Sequence, residues 1–314
     1  MLKKIFSRPK KYFNIFTRRN KKLFFIESPF QFLCMEPDFK CTDLVIIRST
    51  SINTSRQLKH LLDYKKLDQS NLIIFPYYGR FFSALSIILS LVFVFVYHRN
   101  VCFGYLPSRV CKTFLFFFRS ARCLIYDDGV ATLNYTLQDV FTKQPGLKIK
   151  TLFYKMFENE DKIIPHNIRF DGESYRKDNI TPKFKGESIF VGTKVVDDGI
   201  LDAAQYLHAV KSSIVSKGVK HYICHRDEGF LIIESIKSLG VNIVKLEVPI
   251  EIALASKEIA PESIYGLITT SLLTAKIMFD IPTFYYPVTV SDKALSKELK
   301  ELEETFDRYG LIRL

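Results

Sequence analysis

Four short clusters carry the side chains that could do chemistry. Tyr126-Asp127-Asp128-Gly129 sets two carboxylates directly after the apolar run Cys123 to Tyr126. A carboxylate held there can take a proton from a hydroxyl nucleophile. Neighbouring side chains on an extended segment point opposite ways, so at most one of the two can serve. An ordinary acidic turn gives the same letters, because Asp-Gly favours tight turns. Cys224-His225-Arg226-Asp227-Glu228 follows the run Lys220 to Cys224. His225 and Arg226 suit a phosphate: an imidazolium supplies a hydrogen bond and a proton, and a guanidinium binds two oxygens at once. A solvated charged loop is the plainer alternative. Thr269-Thr270-Ser271 sits between a strand and a helix, where hydroxyls cap the helix and its first N–H groups attract an anion. Capping alone would explain it. Gly192-Thr193 ends a fourth run, followed by Asp197 and Asp198, which could serve as bases or simply face a helix dipole. His221 and His225 have the spacing of a helical metal pair, but on a strand that spacing separates the rings by about 13 Å.

All four clusters need strands to aim them, and the sequence supplies strands. Continuously apolar runs at 23–26, 44–48, 71–75, 101–105 and 123–126 alternate with helical patterns at 54–64, 81–97 and 108–119. Glu27-Ser28-Pro29 reads as a loop leaving the first strand. After a polar stretch without strand pattern, alternation resumes with strands at 188–192, 220–224, 241–246, 263–269 and 283–286. Helices are expected between them, and the last, 293–309, is charged and amphipathic, with Leu295, Leu299, Leu302 and Phe306 on one stripe. Apolar strands alternating with helices predict parallel sheets covered on both faces. The expected organisation is a basic arm (1–22), a first Rossmann-like domain (23–160), a linker (161–187), a second Rossmann-like domain (188–290) and a C-terminal helix (291–314). Such a pair of α/β domains is expected to face a cleft at the carboxyl ends of the strands, where ligands bind.

Charge is distributed unevenly along the 314 residues. Of the 45 Lys and Arg residues, nine lie in residues 1–22 with no acid; the remaining 36 face 33 acidic residues, which reduces the net charge from +12 to +3. A nearly neutral body counts against a nucleic-acid footprint, which should spread over a folded face. Leu2, Ile5, Phe6, Phe13 and Phe16 interleave with the basic residues, as in a segment docking on anionic lipid, although a solvated arm would look the same and Pro9 would break a long helix. No clean apolar stretch follows, so a cleaved signal peptide is not expected. Phe81 to Tyr97 is 17 residues without formal charge, short of the roughly 20 that span a bilayer. Ser83, Ser86 and Ser90 would soften one face, and a buried helix is expected, with monotopic insertion left open. The six cysteines show no C-x-x-C pair and read as free thiols in a reducing compartment.

Together these elements resemble a family. Glu27-Ser28-Pro29-Phe30-Gln31, Tyr126-Asp127-Asp128-Gly129, Phe190-Val191-Gly192-Thr193, His225 and Thr270-Ser271 are similar to motifs of the bacterial sialyltransferases of glycosyltransferase family 52, with a related layout in polysialyltransferases. The chain departs from the family at Arg226, where a proline usually follows the histidine. Asp197 and Asp198 also lie slightly later than the acid expected after Gly-Thr. The resemblance implies a GT-B fold and transfer of sialic acid from CMP-sialic acid, with inversion, to a hydroxyl of lipooligosaccharide or capsule. It implies no cofactor and no metal, and the chain has no strand-ending Asp-x-Asp to hold a divalent ion against a diphosphate. Asp127, Asp128, Asp197 or Asp198 would be the base. Gly192, Thr193, His225, Arg226, Thr269, Thr270 and Ser271 would bind the donor. The protein would sit in the cytoplasm, peripheral to the inner membrane through residues 1–22, without nucleic-acid partners. The C-terminal helix would pack on the first domain or form a homodimer. Two other readings remain: a GT-B transferase with a different nucleotide sugar, and a non-enzymatic membrane-surface or polyanion-binding protein.

Overall fold

A computed structural model describes residues 22–65, 71–96, 100–119, 121–128, 144–156, 161–166 and 181–314. The arm at 1–21, Gly129 and most of the expected linker lie outside the described residues. The chain divides into two compact units, Met1–Ile168 and Arg169–Leu314.

The first unit is built on a parallel sheet of seven strands: β1 (Leu23–Ile26), β2 (Leu44–Arg48), β3 (Leu72–Phe75), β4 (Val101–Phe103), β5 (Cys123–Ile125), β6 (Leu147–Thr151) and β7 (Ile163–Pro165). Their spatial order is β3-β2-β1-β4-β5-β6-β7. The chain thus grows outward from β1 to β3, then returns to build β4 to β7 on the other side. The order reverses between β1 and β4, which opens a crevice at their carboxyl ends. Leu23, Phe25, Phe103, Phe114 and Ile125 are fully or almost fully buried in one cluster, and each such side chain contributes roughly 2–3 kcal/mol by leaving water.

Among the described residues, four helices accompany this sheet: α1 (Pro29–Met35), α2 (Ile52–Lys65), α3 (Arg80–Val96) and α4 (Arg109–Phe117). The first occupies the segment expected to be a loop. Ser28 is its N-cap, accepting from the N–H of Gln31 at 3.2 Å, and proline stands at its first position. Both are helix-start signals, and the helix carries Gln31 into the protein. Helix α3 also differs from expectation. Ser86, Ser90 and Val94 form the buried face, while bulky apolar residues face outward. Small side chains let the helix lie close on the protein at Ser86 and Ser90, and the expected burial holds only on that face, since Ile88, Val92 and Val96 are exposed.

Strands β6 and β7 lengthen the first sheet beyond expectation. In β6, Leu147, Ile149 and Thr151 are buried while Lys148 is exposed and Lys150 half-buried. Strand β7 lies within the stretch 161–187 assigned to a linker, so the first domain continues through it and the division falls between Ile168 and Arg169.

The second unit repeats the plan with β8 (Ser188–Val191), β9 (His221–Ile223), β10 (Asn242–Val244), β11 (Ser263–Gly266), β12 (Thr283–Tyr285) and β13 (Ile312–Arg313). All are parallel, in the order β10-β9-β8-β11-β12-β13, with the reversal between β8 and β11. Its helices are α5 (Ala203–Lys217), α6 (Phe230–Lys237), α7 (Ile250–Ala255), α8 (Thr270–Phe279) and α9 (Lys293–Arg308). Helix α9 packs within its own unit. Phe306 stacks edge-on to Tyr285 at 5.3 Å, the Tyr285 hydroxyl donates to Asp307 at 2.7 Å, and Leu299 and Leu302 are buried. The chain then runs into β13 beside β12. Residues 291–314 therefore complete the second domain, and the apolar stripe of α9 is used there. Cys34, Cys102, Cys111 and Cys123 are buried free thiols, Cys224 is half-buried and Cys41 is exposed.

Candidate functional site

At the carboxyl edge of the first sheet the two carboxylates after β5 part company. Asp127 is fully buried, and its Oδ2 accepts the backbone N–H of Leu152 at 2.6 Å, tying the end of β5 to the segment after β6. Asp128 is only half-buried. Its Oδ1 accepts from Ser28 Oγ at 3.0 Å and from Gln31 Nε2 at 2.9 Å. Gln31 is itself buried and fixed at its other end, where Oε1 accepts the Glu27 N–H at 2.7 Å. Gly104, just after β4, makes room for it: a Cβ there would lie 2.3 Å from Gln31 Cγ. Behind this group Glu27 and Arg48 form a buried ion pair at 3.1 Å. Burial raises the pKa of Glu27 and the Arg48 charge opposes it. Burial, then the charges of Asp128 and Glu27, raises the pKa of the nearby Tyr105 hydroxyl. The arrangement holds one carboxylate, Asp128, at the sheet reversal by neutral donors that fix its direction.

The carboxyl edge of the second sheet carries a chain of hydrogen bonds. The Thr193 N–H donates to Tyr206 Oη at 3.0 Å, and the Tyr206 and Tyr222 hydroxyls are 2.7 Å apart. Tyr222 donates to Glu228, whose Oε2 also accepts the His225 N–H at 3.0 Å. Gly192 lets this chain pass, since a Cβ would lie 2.4 Å from Tyr222 Oη. The loop holding His225 is therefore anchored from below. On the imidazole, Nδ1 accepts the Asp227 N–H at 3.2 Å, which leaves the proton on Nε2. Burial, reinforced by the Arg226 charge, lowers the His225 pKa to about 4. The free protein thus presents a neutral imidazole with an Nε2–H donor where the sequence suggested an imidazolium. Arg226 is exposed, with Nε 3.4 Å from Asp227.

The remaining candidates have plainer surroundings. Asp197 accepts the Gly229 N–H at 2.7 Å, at the start of α6. Asp198 is exposed and paired with Lys194 at 2.7 Å. Thr269 is the N-cap of α8, and its side chain makes no capping bond, so hydroxyl capping does not account for it. Thr270 and Ser271 form the first turn. Sequence reading passed over Gln31 as a side-chain partner, Gly104, Glu228 and Glu251. Glu251 is buried on α7, accepts from Thr274 Oγ1 at 2.8 Å, and has its pKa raised by burial. Ser28-Pro29 was the available signal for Gln31. Among the described residues, Cys34, Asp127 and His166 are a group able to gather a metal, with donor atoms within 4.8 Å of one another. All three are buried, and one Asp127 oxygen is already used by Leu152.

Glu228 makes the second network testable. Burial raises its pKa from 4.5 to about 7, against the hydrogen bonds from Tyr222 and the His225 N–H. Between those pH values the folded state keeps a proton that the unfolded chain has released, so this group's contribution to stability falls as pH rises. Denaturant unfolding of wild type and Glu228→Gln should therefore show a difference that grows in favour of the variant from pH 4.5 to 7. It should be flat on either side. Parallel curves would exclude a buried, titrating Glu228.

No family model matches the chain, and no curated protein does. Solved structures are similar in fold. The S. aureus MnaA–UDP co-structure shares 10% identity over 92% of this chain and 89% of its own, with a TM-score of 0.59. A UDP-N-acetylglucosamine 2-epimerase from Listeria monocytogenes, so described as putative, shares 10% identity over 93% and 91%, at 0.54. A sialyltransferase from Photobacterium damsela shares 11% over 94% and 81%, at 0.49. The chain has the GT-B fold of two Rossmann-like parallel-sheet domains.

Proposed function

We propose that the protein is a glycosyltransferase that moves sialic acid from CMP-sialic acid to a hydroxyl of a lipooligosaccharide or capsule glycan, inverting the anomeric carbon without a metal. The observation that carries this reading is Asp128: a half-buried carboxylate at the sheet reversal, oriented by Ser28 and Gln31. Asp128 takes the proton from the acceptor hydroxyl, whose oxygen attacks the anomeric carbon as the bond to the phosphate oxygen breaks. The electron pair leaves with CMP. In the second unit, His225 Nε2–H and Arg226 are the donors suited to a phosphate, and the N-terminus of α8 adds its dipole. Asp127, buried and bonded to Leu152, and Asp197, bonded to Gly229, hold structure. Asp198 pairs with Lys194.

A second donor class is supported by the S. aureus neighbour, which was solved with UDP. Thermal unfolding with added nucleotides separates the two. At a nucleotide concentration a hundredfold above Kd, binding adds about 2.7 kcal/mol, which raises Tm by several degrees. CMP is expected to do so while UDP and GDP do not. The reverse ranking would replace the cytidine donor with a nucleoside diphosphate sugar.

A further inference from the structure

We propose that the outer face of α3, with the end of α4, docks on an anionic lipid bilayer. The reasoning starts from a helix whose polarity is inverted. Ser86 and Ser90 lie inside, while Ile88, Val92 and Val96 follow one another at four-residue steps on the outside, 60%, 51% and 45% exposed. At its start Phe81 is 77% exposed, and at the end of α4 Phe116 and Phe117 are 66% and 63% exposed. Helices α3 and α4 pack together, with Phe95 and Phe117 rings 5.6 Å apart, so the two sets form one patch. A contiguous apolar patch of this kind marks a binding surface.

Charge identifies the partner. Between Asp68 and Asp127 the chain contains no acidic residue, while Arg80, Arg99, Arg109, Lys112, Arg119 and Arg122 are all basic. Lys112 and Arg119 bracket Phe116 and Phe117, and both are exposed. An apolar face carried by a segment whose only formal charges are basic fits a surface that is apolar within and negative at its rim, as an anionic leaflet is. A second copy of this face would set basic residues against each other. The N-terminal arm of the same chain is itself basic and fits no better. The 17 residues of α3 extend about 25 Å, and no described helix is long and apolar enough to cross a membrane. The helix therefore lies in the interface with its outer side in the acyl boundary. This inference is independent of the donor and the reaction.

The chain contains no tryptophan, so an introduced indole is a single reporter. Full-length Ile88→Trp and, as a second probe, Phe116→Trp are mixed with phosphatidylcholine vesicles with or without phosphatidylglycerol. With the anionic vesicles, indole emission should shift to the blue and be quenched by lipids brominated on their acyl chains. A Lys112→Glu/Arg119→Glu variant should lose about thirtyfold or more in vesicle partitioning, at roughly 1 kcal/mol for each of the two surface charges removed. An unchanged indole on protein that still sediments with vesicles would overturn the proposal, because another segment would then hold the membrane. A blue shift that depends on protein concentration without lipid would overturn it in favour of a second copy. Equal partitioning into neutral and anionic vesicles would remove the basic residues from the account.

Discussion

Asp128→Asn is expected to lower turnover by about 10³-fold, a typical loss for a positioned general base, while the protein melts close to wild type. Asparagine keeps an oxygen that can accept from Ser28 Oγ and Gln31 Nε2, so the local hydrogen bonds survive and only proton acceptance is lost. Its neighbour provides the opposite result. Asp127→Ala leaves the Leu152 N–H without its partner in a fully buried position, which costs about 3 kcal/mol of stability. The pair separates chemistry from architecture at adjacent positions. Activity assays and thermal melts of both variants read the two effects. If Asp128→Asn retains full turnover, the base lies elsewhere.

His225→Ala should lower turnover to a similar degree, by ~10²–10³-fold, as expected when one donor to a developing anion is removed. His225→Gln keeps a side-chain N–H and should retain more. The pH profile distinguishes a neutral donor from an imidazolium. With a pKa of about 4 in the free protein, His225 is already deprotonated at pH 5, and the donating Nε2–H persists to higher pH. No ionisation of His225 should then reduce kcat/KM between pH 5 and 8. A fall in that range that disappears in His225→Gln would show that the protonated ring is required.

The sheets were legible because parallel strands buried on both faces are continuously apolar, as Leu23–Ile26 and Leu44–Arg48 are. Strand β6 escaped because Lys148 and Lys150 interrupt it, although the alternation of buried and open positions was present in the letters. Strand β13 is too short to carry a pattern and exists by pairing with β12. Helix α1 was announced by Ser28 and Pro29, two start signals that also make turns. At the candidate site, the position of each cluster after a strand could be read from sequence. Which of Asp127 and Asp128 turns inward could not, since it depends on Leu152, Ser28 and Gln31, each distant along the chain. The neutral state of His225 likewise follows from burial of its loop and from the Asp227 N–H, neither of which a motif records. The exposed face of α3 was not legible because a continuously apolar helix reads as buried all round, whereas only Ser86, Ser90 and Val94 are buried here.

Mass-spectrometric product analysis, with the purified protein and a panel of nucleotide sugars and glycan acceptors, tests the central claim most directly. The account predicts that an acceptor gains sialyl residues and CMP is released only when CMP-sialic acid is present, and that Asp128→Asn lowers the rate of product formation by about 10³-fold. Transfer from a uridine or guanosine diphosphate sugar alone, or undiminished sialylation by Asp128→Asn, would contradict it.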